Sequence, residues 1–227
     1  MPLSTFPAIS ALLSNIIDYA GLYPPACLAL SEVIANYERY RESPEAWMLN
    51  RLVLPASRLN AVDPKGHWRV TLIADEEPFD LPSCVESVET KDLRSFTQPV
   101  YRELPLDDIE DGFAKIRTAE ISSEYLTTFL MKAAARRLPF KATAGLHHPI
   151  RAQQHGFINV FLAAAHAWHG ADQDFVLDII NQTDPDKLLN HHLSVSQIAE
   201  ARHDFAHSFG SCSFEEPIQD LQQLGWL

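Results

Sequence analysis

The chain has 227 residues, 46% hydrophobic and 21% charged, with 30 acidic against 18 basic side chains and a formal net charge of −12. That size and apolar share suit a single domain over residues 1–227 with a sizeable core, and the acidic balance argues against general affinity for nucleic acid or an anionic membrane. No apolar run is long enough to cross a bilayer, the N-terminus lacks the basic start of a secretory signal, and three widely spaced cysteines fit a reduced, cytoplasmic protein.

Taken in order, residues 5–16 form a short amphipathic helix and IIDYAGLYPP (16–25) a first strand with its turn. Residues 26–41 are helical. A second strand within 47–59 stops at Pro55, and HWRVTLIAD (67–75) is the third. CVESVET (84–90) and VYREL (100–104) follow as the fourth and fifth, with short connections. FAKIRT (113–118) is the sixth, alternating Lys115 and Arg117 with Ala114 and Ile116. Ser122 or Ser123 caps a helix whose apolar side carries Leu126, Phe129, Leu130, Ala133 and Ala134. PFKATAG (139–145) is the seventh strand, with Lys141 and Thr143 on one face and Gly145 at its end.

Further helices are expected at 156–168, near 175–180 and at 196–206, the last placing His203 and His207 four apart on one helix. HHLSV (191–195) and HSFGSCSF (207–214) compete for the eighth strand, and a short tail runs to Leu227. Strands alternating with helices or loops predict an α/β protein, a (β/α)₈ TIM-like barrel with some barrel helices missing. An open doubly wound sheet is the alternative. The barrel is favoured because polar residues recur near strand C-termini, where a barrel gathers them around one mouth.

The strand–helix–strand unit at 113–145 implies a right-handed parallel crossover. Its strands lie side by side, so Lys115 and Lys141 project from neighbouring positions into one site. Two interior cations require compensation or a chemical role. A second ammonium about 4 Å away is worth on the order of 4 kcal/mol at an effective dielectric near 20, about 3 pKa units. On this reading Lys141 and Arg117 keep the Lys115 amine partly neutral. The alternative is that both lysines pair with Glu86, Glu89 or Glu103 in a polar barrel centre.

Several segments resemble the deoxyribose-phosphate aldolase group of class I aldolases. IDYAGLYPPA (17–26) is similar to that family's opening segment, although Tyr19 stands where the family has histidine, and RLVLPASRL (51–59) is similar to its second strand. FAKIRT, followed by Ala119 where the family has glycine, looks like the strand bearing the Schiff-base lysine, and FKATAGL like that bearing a second lysine. VES (85–87) sits where the family has a proton-transferring acid, and FGSCS (209–213) is similar to its phosphate-binding turn. The resemblance implies a lyase acting on a small carbonyl compound, phosphorylated or not. Lys115 would be the nucleophile and Lys141 and Glu86 its catalytic partners. Gly210 and Ser211 would lie on the phosphate side.

Arg117 and Thr143 share the lysine-bearing faces, and His147 and His148 follow the seventh strand, so all four are candidate substrate contacts. Neither cofactor nor metal is required. A homo-oligomer is compatible with the sequence. Two rivals remain: a Mg²⁺-assisted, enolase-type barrel using Asp75, Glu86, Glu89 and Glu103, and a non-catalytic barrel binding an anionic metabolite.

Overall fold

Eight short strands, all parallel and in sequential order, close into a barrel in the computed structural model, which describes residues 7–63, 65–74, 81–190 and 192–227. They are β1 (Ile17–Tyr19), β2 (Leu49–Pro55), β3 (Val70–Ile73), β4 (Val85–Thr90), β5 (Val100–Arg102), β6 (Phe113–Arg117), β7 (Phe140–Thr143) and β8 (Ala206–Ser211). The helices are α1 (Pro7–Leu13), α2 (Leu30–Arg41), α3 (Ser123–Ala135), α4 (Phe157–Trp168), α5 (Gln173–Asn181), α6 (Pro185–Leu189), α7 (Val195–Asp204) and α8 (Glu215–Gln223). The TIM-like reading therefore holds, and HSFGSCSF supplies the eighth strand. His191 of the competing HHLSV segment lies outside the described residues.

The helical cover is uneven. The β2–β3 connection carries a short 3₁₀ turn (Ala56–Ala61) and the β5–β6 connection another (Leu106–Asp108), and β4–β5 has no helix. The β7–β8 connection holds α4, α5, α6 and α7. The all-round apolar composition of FINVFLAAAHAW explains that arrangement. Every residue of α4 from Phe157 to Ala167 is buried, because α3, α5, α7 and β8 pack around it. Local signals start the surrounding helices: Ser122 accepts from the Tyr125 N–H, Asp172 from the Phe175 N–H, and Ser194 forms a capping box with Gln197.

Three expectations are corrected here. The helix expected from residue 26 begins at Leu30, after Cys27 adopts a left-handed backbone (φ 47°) that ends any earlier helical run. The expected tail contains α8, whose Pro217 falls in the first turn, where a missing N–H is tolerated. α7 stops at Asp204, so His207 lies in β8 and its Nε2–H donates to the His203 carbonyl rather than sharing a helix face with it.

Phe140 marks the contact between barrel and helices. It is fully buried and meets Phe129, Phe161 and Phe205 at ring-centroid distances of 5.5, 6.4 and 5.1 Å. Phe140→Ala is expected to lower the unfolding free energy by about 3–5 kcal/mol, read as a reduced denaturant midpoint with an unchanged m-value.

Candidate functional site

Alternation turns Lys115 on β6, Lys141 on β7 and Glu89 on β4 into the barrel. Lys115 pairs with Lys141 in register, as the shared face in the sequence required. The two lysines do not confront each other bare, however. Glu89 bridges them, its Oε1 lying 2.7 Å from Lys141 Nζ and its Oε2 2.9 Å from Lys115 Nζ. Lys141 also contacts Asp18 of β1, and Lys115 Nζ lies 2.9 Å from Glu103 just beyond β5. The interior thus carries a ladder of alternating charge, Asp18–Lys141–Glu89–Lys115–Glu103, with Lys91 3.5 Å from its outer end.

The inner end of the ladder is tied down by neutral donors. Asp18 accepts from Asn50 Nδ2 (2.7 Å), the Arg51 N–H (3.2 Å) and Ser208 Oγ (2.8 Å). Burial alone would push the Lys141 ammonium down, but Asp18 and Glu89 outweigh it and hold its pKa above the ordinary lysine value. Burial would likewise raise Glu89, yet Lys141 and Lys115 bring its carboxyl down to about 2. Glu103 is also lowered: burial opposes the shift, and Lys115 overcomes it. The direct lysine–lysine repulsion expected from the sequence is replaced by two lysines that each face two carboxylates.

The ladder opens upward. At the C-terminal ends of the strands a cavity of about 450 Å³ is lined by Lys115, Glu89, Arg117, Thr143, His147 and Gly210, together with Val53, Ile73, Pro24, Pro25 and Gln154. The Lys115 side chain is 9% exposed, whereas that of Lys141 is fully enclosed and lies outside the cavity wall. The cavity floor is held by tight β6–β7 packing. The Thr118 N–H donates to the Thr143 carbonyl and its hydroxyl to that of Ala144. Gly145, at φ +86°, comes so close to Ala119 that a Cβ would sit 2.9 Å from its backbone, so a side chain is excluded there.

The other expected site residues separate into two groups. Arg117, Thr143, His147 and Gly210 reach the cavity, with His147 Nδ1 3.5 Å from Glu216 of α8. His148 turns outward to Asp220 at 2.6 Å, and the buried Ser211 side chain accepts from the Ser213 N–H, so neither lines the wall.

Glu86 is not beside Lys115. A register irregularity precedes Ser87 in the β3–β4 pairing, and Glu86 bonds Arg51 (2.8 Å) and Arg69 (2.9 Å) at the N-terminal end of the barrel. Glu89, three residues on, holds the position expected of it. Asp75 lies outside the described residues. Among the described residues no group of three or more His, Cys, Asp or Glu side chains is gathered to hold a metal ion, and Glu89 and Glu103 share Lys115 between them.

Asp18 is the ladder member that sequence reasoning missed. Its signal was a lone carboxylate inside the apolar run IIDYA. No protein-family model, curated protein or solved structure matches the chain.

Removing Lys141 would leave Asp18 and Glu89 buried without their shared cation. Lys141→Met is expected to cost about 3–5 kcal/mol, measured by denaturant titration at neutral pH, and adding Asp18→Asn should recover part of it. The pH dependence follows from Glu89, whose folded pKa lies below its ordinary value of 4.5. Its stabilisation is present above pH 4.5 and disappears as the pH falls from there through about 2. In Glu89→Gln, stability at neutral pH falls while its decline over that acid interval becomes shallower.

Proposed function

We propose that this barrel is a Schiff-base lyase of aldolase type acting on a small carbonyl compound, with Lys115 as the nucleophile. The observation that carries the reading is that, of the two interior lysines, Lys115 is the one that reaches the mouth cavity, with an ionic ladder fixed behind it. The resemblance of FAKIRT to the lysine strand of the deoxyribose-phosphate aldolase group points to the same residue. An acidic chain that lines its mouth with Arg117 and His147 suits a substrate carrying an anionic group.

In this mechanism the Lys115 ammonium releases a proton to Glu103, whose side chain is 20% exposed and nearest solvent. The freed amine attacks the substrate carbonyl carbon, forming a carbinolamine. Glu103 returns its proton to the departing hydroxyl, and loss of water gives the iminium. The bond between the α and β carbons then breaks, its electron pair passing into the iminium to leave an enamine, while the β-hydroxyl gives its proton to Glu89 and the β fragment leaves as an aldehyde or ketone. Protonation of the α carbon and hydrolysis of the iminium release the second product and restore the Lys115 amine. Glu89, in contact with both lysines, is the carboxylate placed to exchange the proton at the neighbouring substrate carbon, directly or through one water. Lys141 is a positioning residue: it fixes Glu89 and holds its charge. Val53 and Ile73 exclude water from one side of the cavity.

Borohydride trapping across a panel of aldehydes and ketones, followed by peptide mass analysis, tests the proposal. The expected result is a substrate-dependent adduct on Lys115 that is absent in Lys115→Met. Glu89→Gln should still form the adduct while turnover drops on the order of 10²–10⁴-fold. Turnover without any adduct, or an adduct on another lysine, would refute it. A second reading, an anion-binding barrel without catalysis, draws on the two carboxylates that Lys115 must leave before it can attack. Saturable binding of anionic carbonyl compounds with neither adduct nor turnover would select that reading.

A further inference from the structure

A second cavity, of about 630 Å³, lies at the N-terminal ends of the strands. Arg51, Arg69 and Arg202 line it and, among the described residues, no aspartate or glutamate does. In a chain of net charge −12, that wall is a local reversal of sign. Arg51 and Arg69 share Glu86 through their Nε atoms, and the charge of Asp18, which Lys141 already pairs, also reaches Arg51 and Arg202; among the described residues three guanidinium groups thus have one carboxylate in direct contact.

The three arginines differ in what they have left to offer. Arg202 is buried and donates to the backbone carbonyls of Leu12, Ser14 and Ala206; it supplies positive charge and has no carboxylate partner among the described residues. Arg69 donates its remaining nitrogens to Asn15 Oδ1 at 3.3 Å and Asn50 Oδ1 at 3.2 Å. Arg51 is unlike both. Its side chain is only 19% exposed, and beyond the Nε bond to Glu86 its two terminal nitrogens meet no acceptor among the described residues. They present a planar fork of donors to the cavity, the geometry that takes a carboxylate or phosphate through two parallel bonds.

We infer that this N-terminal cavity is a second binding site, for a small multivalent oxyanion gripped by the Arg51 fork in the field of Arg69 and Arg202. A cavity of this volume admits a metabolite-sized ligand. A purely structural network needs one arginine to neutralise Glu86; the second arginine, the carboxylate-free Arg202 and the unused fork are accounted for by an anion. The site is separate from the mouth cavity, with which it shares no lining residue, and it does not depend on the Schiff-base proposal. Phosphate and carboxylate oxyanions fit the fork equally, so the ligand source is left to experiment.

Isothermal titration with inorganic phosphate and, separately, succinate, combined with ¹H–¹⁵N spectra of the arginine Nε–H groups, provides the test. At least one probe is expected to bind saturably at millimolar concentration and to shift the Arg51 and Arg69 resonances. A response to phosphate alone assigns the ligand to phosphate esters, and a response to succinate alone assigns it to dicarboxylates. Arg51→Met should weaken binding roughly tenfold or more, Glu86→Gln should strengthen it by removing the competing carboxylate, and Arg117→Met at the mouth should leave it unchanged. If Arg51→Met does not fold, Arg51→Lys and Glu86→Gln decide the matter, the first by losing the fork while keeping the charge. Absence of saturable binding by either probe would overturn the inference, as would ligand-induced shifts of the Arg69 resonance that persist at full size after the loss of Arg51 or vanish with Arg117.

Discussion

The interior of this barrel depends on charge matching. Five ionisable groups, Asp18, Lys141, Glu89, Lys115 and Glu103, lie in sequence across a space that most barrels fill with branched apolar side chains. Each taken alone would be prohibitively costly to remove from water, and none is left alone. Acids and bases alternate along the ladder, and its terminal acids are relieved by Asn50, Ser208 and the Arg51 N–H at one end and by Lys91 at the other. A ladder of this kind contributes little to net stability relative to a well-packed apolar core, but it fixes orientation. Lys115 can point only where Glu89 and Glu103 allow.

That constraint also separates the two ends of the barrel. Above the ladder, the mouth cavity mixes apolar walls with the Lys115 ammonium; below it, the wall is cationic and hydrogen-bonding. Asp18 meets both, since it holds Lys141 with one oxygen and Asn50 and the Arg51 backbone with the other. A rearrangement of Arg51 or Asn50 therefore has a physical route of two contacts to Lys141.

Much of the barrel was legible because its strands are short, alternating and punctuated by proline or glycine, as at Pro55 and Gly145. The pairing of Lys115 with Lys141 followed from period and crossover alone. Glu86 misled because choosing between it and Glu89 required knowing which face of β4 turned inward, and the irregular register before Ser87 is a tertiary property. Asp18 was overlooked for a related reason: its partner on β7 lies 123 residues away in the chain, and no local pattern joins the two. The α8 helix was obscured by Pro217, which reads as a breaker unless its place in the first turn is known. The open donor fork of Arg51 has no sequence signal at all, since it is defined by the acceptors it lacks among the described residues.

The uneven helical cover has a mechanical meaning. The arc of β4 and β5 is followed by connections that carry no helix beyond one 3₁₀ turn, whereas β6 to β8 lie against α3, α4 and α7. Local opening of a fold costs least where the fewest packed layers must separate. Glu89 and Glu103 come from the arc of β4 and β5, and both lysines come from β6 and β7. The ladder thus ties the strands with the lighter described cover to those packed against helices. Parting the two would pull two carboxylates off two ammonium groups, so Glu89 and Glu103 hold their places only together with Lys115 and Lys141.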